Sequence, residues 1–226
     1  MHLIGSPASP FVQRCAIVAR AKGLDIAIEP PPGGAIHSAE FQAMAPMGRI
    51  PLLVLDDGSR ICESAAIAAY LDEVLDGPAL QPANPRERAR VREVEAIATL
   101  ELAAGLRPVL VHRVFRVSQN EPLVAAGMAQ ADKGCAALTR LLADAPATGP
   151  YVIGDTLSLA DAVLVPLVAL AGALIDQPEV AALHQTYPLL AARREQAQGD
   201  PVLARSLREM EQGFAAIRGR MTAPAV

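Results

Sequence analysis

The sequence predicts a small α/β domain followed by a larger, all-helical domain. Over the first 75 residues, short apolar runs alternate with segments whose apolar residues recur every three or four positions. The segment 76–85 holds three prolines and a glycine, a composition typical of a linker. After Pro85 the apolar spacing is that of long helices. We therefore expect domains over 1–76 and 86–226, joined by a linker at 77–85.

The first domain is predicted to have the element order βαβαββα. A serine precedes each expected helix, and Ser9 is followed by Pro10, a residue favoured at the first helical position. The sequence Asp-Asp-Gly-Ser at 56–59 predicts a hairpin turn between the last two strands. The strands are expected at 2–4, 26–29, 52–55 and 60–61, and the helices are expected to follow N-caps at Ser9, Ser38 and Ser64.

The second domain is predicted to contain five helical stretches. Ser158 and Asp161 have the spacing of a capping box, with aspartate in place of the usual Glu or Gln. We therefore expect these two residues to start the apolar helix that follows, which is a structural role. The helical stretches are expected at 86–118, 122–144, 158–175, 187–198 and 201–219.

The composition excludes several classes of partner. The chain has 20 Lys and Arg against 24 Asp and Glu, a net charge of −4, whereas nucleic-acid binding requires a basic surface. Aromatic residues make up 3% and there is no Trp, which argues against base stacking. The longest uncharged apolar stretch, 162–175, is shorter than the roughly 18 residues of a membrane span. We expect neither a nucleic acid nor a membrane as partner.

The cysteines and histidines indicate a reducing compartment and no metal. The three cysteines, Cys15, Cys62 and Cys135, are odd in number and far apart, so no disulfide framework is expected. The first residues lack the pattern of a signal peptide, and we expect a cytoplasmic protein. The four histidines are scattered, so no metal site is expected. Cys15 falls in the apolar stripe of its helix, which favours core packing.

Three local motifs indicate a binding site at the starts of helices and strands. Ser-Pro-Phe at 9–11 opens a helix, whose free N–H groups favour an anion. Ile-Pro at 50–51 precedes a buried strand, and a cis bond there would present the backbone of Ile50 to a ligand. Glu63 and Ser64 open another helix, where they would suit an ammonium and a carboxylate. Taken singly, each motif also fits a helix cap or an ordinary strand start.

Taken together, these motifs resemble those of the cytosolic glutathione transferases of the serine type. The segments that carry the resemblance are GSPASPFVQRCAIVARAKGL, APMGRIPLLVLDDGSRICESAAIAAYLDE and GDTLSLADAVLVP. The match follows the element order of nearly the whole chain and is closest over 5–73. The resemblance implies a thioredoxin-like N-terminal domain, a C-terminal helical bundle and a cytoplasmic homodimer. It also implies glutathione as co-substrate and a small hydrophobic electrophile as the second substrate.

The resemblance assigns a role to each matching residue. Ser9 stands where serine-type members place the hydroxyl that holds the glutathione thiolate. The backbone of Ile50, with Pro51 cis, would pair with the cysteinyl part of glutathione. Glu63 and Ser64 would bind the amino and carboxylate groups of the γ-glutamyl part. The predicted glutathione site also includes Phe11, together with His37 and Arg49 near the glycyl carboxylate, where His37 departs from the basic residue of related plant-type enzymes.

The second-substrate pocket is expected between the loop around Ala8 and the helix at 107–116. Its basic residues would suit an anionic or carbonyl-bearing electrophile, and Pro108 would bend the helix and open space. A solvated or dimer-facing surface is the alternative interpretation of the same charges. The predicted pocket residues are Ala8, Arg107, Val111, His112 and Phe115, with Arg113 as a further candidate.

The sequence therefore predicts an enzyme in which Ser9 activates the thiol of glutathione for attack on a hydrophobic electrophile. Ser6 is a less favoured alternative, because only Ser9 directly precedes the proline at the first helical position. A cysteine-dependent reductase would need a thiol at position 9, and none is present there. Two other functions stay open: a glutathione-dependent isomerase or peroxidase using the same site, and a non-catalytic interaction protein that kept the fold.

Overall fold

The computed structural model describes residues 1–144 and 149–222. The chain forms two compact units. One combines Met1–Leu80 with the chain from Ala204 onward, and the other is Gln81–Leu203. The α/β and all-helical fold classes are as predicted. The domain limits 1–76 and 86–226 stay a prediction, and packing alone assigns the chain from Ala204 onward to the first unit.

The first unit is built on a four-stranded sheet with the order β2-β1-β3-β4. β1 pairs in parallel with β2 and antiparallel with β3, which pairs antiparallel with β4. The register sets Leu3 opposite Leu53 and Ile4 opposite Leu52. All four side chains are buried, so both faces of the sheet are covered. The strands are β1 (His2–Ile4), β2 (Ile28–Glu29), β3 (Leu52–Val54) and β4 (Arg60–Cys62).

Helices cover this sheet, and two of the three predicted motifs lie at their starts. Ile4 and Leu52 pack against Phe41 on one face, and side-chain alternation along the strands turns Leu3 and Leu53 to the other face. The helices of the first unit are α1 (Pro10–Ala21), α2 (Ala39–Met44), α3 (Ser64–Val74) and α10 (Pro201–Thr222) from Ala204 onward.

The second unit is helical. Its first helical stretch is continuous over 85–114 and contains two π-helical segments, at 98–103 and 110–114. None of the helices among the described residues is both long and apolar enough to cross a bilayer. The helices are α4 (Pro85–Ile97), α5 (Ala104–Val109), α6 (Glu121–Ala143), α7 (Leu159–Ala173), α8 (Pro178–Thr186) and α9 (Pro188–Gln196).

Three local predictions need correction. The N-cap of α3 is Glu63, with φ of 65°, so Ser64 is the first helical residue and not the cap. β2 starts at Ile28 and not at residue 26, because the N–H of Ile26 bonds within a tight turn to the carbonyl of Leu24. No helix is predicted where α8 lies, although Pro178 at its first position is a start signal.

The predicted capping box holds the start of α7. Asp161 is fully buried and accepts hydrogen bonds from the N–H and hydroxyl of Ser158, both at 2.8 Å, and from the N–H of Val152. Burial raises the pKa of Asp161 to about 6, even though these hydrogen bonds favour the carboxylate. The carboxyl group thus joins the 150–158 segment to the most buried helix of the second unit.

Replacing Asp161 should therefore destabilise the protein strongly. In Asp161→Ala the three donors lose their buried acceptor, and we expect the free energy of unfolding to fall by about 3 kcal/mol. Urea denaturation followed by circular dichroism measures the change. The control is Asp144→Ala, which alters an exposed aspartate of the same unit and should change stability by less than about 0.5 kcal/mol. Equal losses in the two variants would contradict the capping role.

Candidate active site

Ser9 is the N-cap of α1. Its backbone is extended, Pro10 occupies the first helical position, and the Ser9 Oγ accepts a hydrogen bond from the N–H of Val12 at 3.4 Å. This long contact uses only a lone pair of the hydroxyl oxygen. Within 1–144 and 149–222, the hydroxyl proton of Ser9 has no acceptor. The hydroxyl is therefore able to donate a hydrogen bond to a bound group.

The segment 6–9 forms a turn that leads into α1. The N–H of Ser9 donates to the carbonyl of Ser6 at 2.9 Å, and the N–H of Ala8 donates to the Ser6 Oγ at 3.4 Å. Pro7 takes the second position of this turn, which suits its restricted φ. The Ser6 hydroxyl oxygen thus accepts a hydrogen bond within its own turn, as the Ser9 oxygen does within α1, and the preference for Ser9 rests on its position as the N-cap of α1.

Cys15 brings the starts of α1 and α3 together. Its Sγ contacts the carbonyl of Phe11 at 3.4 Å and that of Ser64 at 3.6 Å. The side chain is fully buried, and burial raises the pKa of Cys15 to about 12. The thiol therefore stays protonated at neutral pH, and the prediction of core packing is confirmed. In the part of the chain that is described, no three His, Cys, Asp or Glu side chains are grouped to hold a metal ion.

The start of α3 leaves hydrogen-bond donors free. Glu63 has a positive φ of 65°, and its exposed side chain makes no capping hydrogen bond to the helix. The N–H of Ser64 and those of the next residues have no acceptor inside the helix at this end. The positive end of the helix dipole adds to them. This turn is suited to a carboxylate, and the Glu63 side chain beside it is suited to a cation.

The Ile50–Pro51 peptide bond is cis. Ile50 is half-buried and packs against the core cluster of the sheet, while Pro51 is buried just before β3. Neither the N–H nor the carbonyl of Ile50 bonds to another backbone group in the described residues. Both groups are available to pair with an extended peptide ligand.

The two predicted basic residues are both exposed. Arg49 follows Gly48, whose φ is 56°, and His37 immediately precedes the N-cap of α2. Neither side chain forms an ion pair with any described residue. Their assignment to the glycyl carboxylate stays a prediction.

The predicted second-substrate residues divide between the two units. Ala8 belongs to the first unit and is buried. The other four belong to the second, where Arg107 and Phe115 are exposed and Val111 is half-buried. Within that unit, His112 lines an open depression of about 400 Å³. The other residues around this depression are Arg113, Arg116, Ser118, Gln119 and Glu121.

Arg113 and His112 already have partners in the second unit. The Arg113 guanidinium pairs with Glu121 and, at 3.3 Å, with Glu179. The His112 Nδ1 lies 3.0 Å from the hydroxyl of Ser118. The charge of Arg113 is therefore neutralised locally, and this residue is a poor candidate for attracting an anionic electrophile.

Gln13 is a residue whose importance the sequence did not indicate. Its position on the helical wheel of α1 lies off the apolar stripe, yet the side chain is fully buried. Its amide group contacts the carbonyl of Pro7 and a glutamate of α10, Glu209. A partner 196 positions away leaves no local signal in the sequence.

Comparison with family models identifies both units. The model described as "Glutathione S-transferase, N-terminal domain" matches residues 3–79, and the one described as "Glutathione S-transferase, C-terminal domain" matches 121–192. Together they match more than half of the chain. The chain belongs to the glutathione S-transferase family. The predicted glutathione transferase family and the thioredoxin-like first domain are thereby confirmed, whereas the serine type stays a prediction.

Individual relatives of this glutathione S-transferase family member support the same family assignment. Maleylacetoacetate isomerase of Mus musculus is 34% identical over 160 residues, which are 69% of this chain and 71% of the mouse protein. A bacterial maleyl pyruvate isomerase of the zeta class is 28% identical, with a TM-score of 0.73 over 91% of this chain and 96% of its own. The Tau class transferase of mango, Mangifera indica, is 23% identical, with a TM-score of 0.77 over 98% of each chain, and shows the shared fold.

The cysteines should react with an alkylating reagent in the order of their exposure. Cys15 and Cys135 are buried and burial raises the pKa of each to about 12, whereas Cys62 is half-buried at the end of β4. We expect iodoacetamide at pH 8 to label Cys62 first in the native protein and all three cysteines in urea. Peptide mass spectrometry measures the labelling. Rapid native labelling of Cys15 would contradict its position in the core.

Proposed function

We propose that this chain binds glutathione across the starts of α1 and α3 and that Ser9 donates a hydrogen bond to the thiolate. The observation that carries the proposal is the Ser9 hydroxyl, which caps α1 with its oxygen and whose proton meets no acceptor in the described parts of the chain. The thiolate sulfur would lie beside the first turn of α1, where the helix dipole also favours negative charge. The family to which the chain belongs supports glutathione as the thiol.

The size of these two effects is sufficient for thiol activation. A free thiol has a pKa of about 8.5, so only a few per cent is ionised at pH 7. Lowering that pKa by about 2 requires roughly 2.7 kcal/mol of preference for the anion. A hydrogen bond to a charged acceptor contributes about 1.5–3 kcal/mol, and a helix amino end about 0.3–1 kcal/mol. Neither a metal ion nor a separate general base is required for this step.

The remainder of the proposed site holds the tripeptide in place. The γ-glutamyl carboxylate would bind the hydroxyl and free N–H groups at the start of α3, including those of Ser64. Its ammonium group would pair with Glu63, whose side chain is exposed and unused by the helix. The cysteinyl backbone would pair with Ile50, and the glycyl carboxylate would lie near Arg49 and His37. Phe11 would line the site beside Ser9.

The first candidate reaction is conjugation. The thiolate attacks an electrophilic carbon, a carbon–sulfur bond forms, and the leaving group departs with its bonding electrons. For a chloronitroarene the leaving group is chloride. Here glutathione is consumed, one molecule for each product. Because the nucleophile is the thiolate, the rate depends on the fraction of bound glutathione that Ser9 keeps ionised.

The second candidate reaction is isomerisation, and the mouse and bacterial relatives named as isomerases favour it. The thiolate adds to a carbon–carbon double bond that is conjugated with a carbonyl group. The resulting single bond rotates, and the thiolate leaves again with the carbon–sulfur electrons as the double bond re-forms. Here glutathione is not consumed. The first step is the same thiolate attack, so the proposed role of Ser9 is common to both reactions.

We further propose that the protein acts in the cytoplasm as a homodimer. The scattered, unpaired cysteines support a reducing compartment. Exposed apolar side chains of the helical unit, among them Leu100 at 63% exposure, would be covered by a second copy.

Removing the Ser9 hydroxyl should raise the pKa of bound glutathione. For Ser9→Ala we expect an increase of about 1–2 in the thiol pKa, because the lost donor is worth roughly 1.5–3 kcal/mol to the anion. Ultraviolet absorbance of the thiolate, recorded as a function of pH, measures it. The control is Asn84→Ala, which removes the cap of α4 without touching the proposed site. A thiol pKa equal to that of the wild type in Ser9→Ala would refute the role of Ser9.

The use of glutathione distinguishes the two reactions. With a chloronitroarene we expect one glutathione to disappear for each chloride released. With maleylpyruvate, an isomerase would form the trans product while the glutathione concentration stays constant. Proton NMR of both reactants measures each outcome.

A thermal transition that millimolar glutathione fails to raise would instead favour the non-catalytic interaction protein, because a ligand of the native state must stabilise it.

A further inference from the structure

Helix α10 reaches the turn that carries Ser9. The contact lies within the first unit, which contains both segment 6–9 and the chain from Ala204 onward. Residues 205, 209 and 213 are spaced four apart and therefore share one face of α10. All three of them contact the segment 6–9, α1 or the loop that follows α1.

The first contact is polar and passes through Gln13. Its Nε2 donates at 3.0 Å to the carbonyl of Pro7 and at 3.2 Å to the Oε2 of Glu209. Because Gln13 lies on the second turn of α1, its amide group holds the Pro7 carbonyl on one side and α10 on the other. Pro7 and Ala8 are the residues directly before Ser9.

Glu209 is itself held by two arginines. The Arg20 Nη2 donates to both carboxylate oxygens, at 2.9 and 2.8 Å, and the Arg205 Nε donates to Oε1 at 2.9 Å. Arg205 also pairs with Asp25 at 2.9 Å. Partial burial alone would raise the pKa of Glu209, but its hydrogen bonds with Arg20, Arg205 and Gln13 hold that pKa below its usual value. Glu209 is therefore an ionised acceptor that cannot easily turn away from Gln13.

The second contact is steric and occurs at Gly213. A Cβ atom at this position would lie 2.7 Å from the backbone nitrogen of Ala8 and 2.9 Å from its Cβ. Real Cβ atoms essentially never approach other atoms so closely. The backbone of α10 thus lies directly against Ala8, and only a glycine permits the approach. Ala8 cannot shift toward α10, and the amide of Gln13 holds its neighbour Pro7.

We propose that Gln13, Glu209 and Gly213 are positioning residues that hold segment 6–9 so that the Ser9 hydroxyl points at the thiolate of glutathione. The proposal rests on the proposed function of Ser9. None of the three residues needs to touch glutathione. They act through Pro7 and Ala8. Helix α10 thereby contributes to the activation of the thiol in the first unit.

The test compares variants of the network with a matched control. Gln13→Met keeps the length of the side chain and removes the amide, Glu209→Ala removes the acceptor, and Gly213→Ala introduces the excluded Cβ. The control is Asp72→Asn, which weakens another ion pair of the same unit, that between Lys22 and Asp72. Lys22 lies 13 residues after Ser9 along α1, about 20 Å away at 1.5 Å per residue.

We expect the three network variants to raise the pKa of bound glutathione by about 1 and to lower kcat about tenfold. KM for glutathione should change by less than about threefold, because the contacts at Glu63 and Ser64 remain. Glu209→Gln should lie between the wild type and Glu209→Ala, since its amide oxygen still accepts from Gln13. Asp72→Asn should lower the thermal transition without moving the thiol pKa. Network variants that behave like Asp72→Asn would overturn the proposal.

Hydrogen exchange at the amides of Ala8 and Ser9, measured without glutathione, separates this proposal from the proposed function. We expect exchange to become at least about tenfold faster in Gln13→Met and Glu209→Ala, and to stay unchanged in Asp72→Asn. Unchanged exchange in the network variants would overturn the positioning, even where Ser9→Ala raises the thiol pKa as expected. If exchange accelerates but Ser9→Ala leaves the thiol pKa unmoved, the role of Ser9 is wrong and the positioning proposal falls with it.

Discussion

The proposed chemistry depends on one hydroxyl group that makes two hydrogen bonds. Its oxygen accepts from an N–H of a helix, and its proton is donated to a ligand. At Ser9 the two uses do not compete, because the Val12 N–H approaches a lone pair while the proton has no acceptor among the described residues. The capping contact orients the Oγ, and the helix dipole then acts on the same sulfur as the hydroxyl. A serine inside a helix would lack both advantages, since its hydroxyl would compete for a backbone carbonyl.

The two serines of the proposed site occupy different positions, and the difference suits their different ligands. Ser9 is an N-cap, so its hydroxyl is committed to the helix through one lone pair. Ser64 lies one position further in, because Glu63 takes the cap with a positive φ of 65°. A φ of 65° combined with a ψ of 117° is sparsely populated, and such a conformation costs on the order of 1–3 kcal/mol for a residue other than glycine. The Glu63 side chain makes no capping hydrogen bond to the first turn of α3, an arrangement that serves a zwitterionic ligand better than it serves the helix.

The elements whose signals are local in the sequence are predicted correctly. The cap and proline that start α1, and the Ser158–Asp161 capping box, depend on residues within four positions of one another. The predicted cap of α3 is wrong, because serine is the more common cap and no neighbouring residue signals the positive φ of Glu63. The sequence pattern of α1 also predicts no structural role for Gln13. The burial of that amide follows from packing against α10, and a polar residue off the apolar stripe predicts exposure when read from its own helix alone.

The thiolate alone does not decide between conjugation and isomerisation. Lowering the pKa of a thiol makes the thiolate more abundant and easier to expel, but also less nucleophilic. Conjugation needs the thiolate only as the attacking group. Isomerisation needs the thiolate to attack and later to leave the same carbon. The distinction therefore rests on the electrophile. A dicarboxylate such as maleylpyruvate would need cationic partners, and Arg113 is already paired with Glu121 and Glu179. In the described chain the exposed Arg107 and Arg116 form no ion pair. Arg107 and Arg116 are thus the exposed cations of the 107–116 stretch whose charge no described carboxylate neutralises.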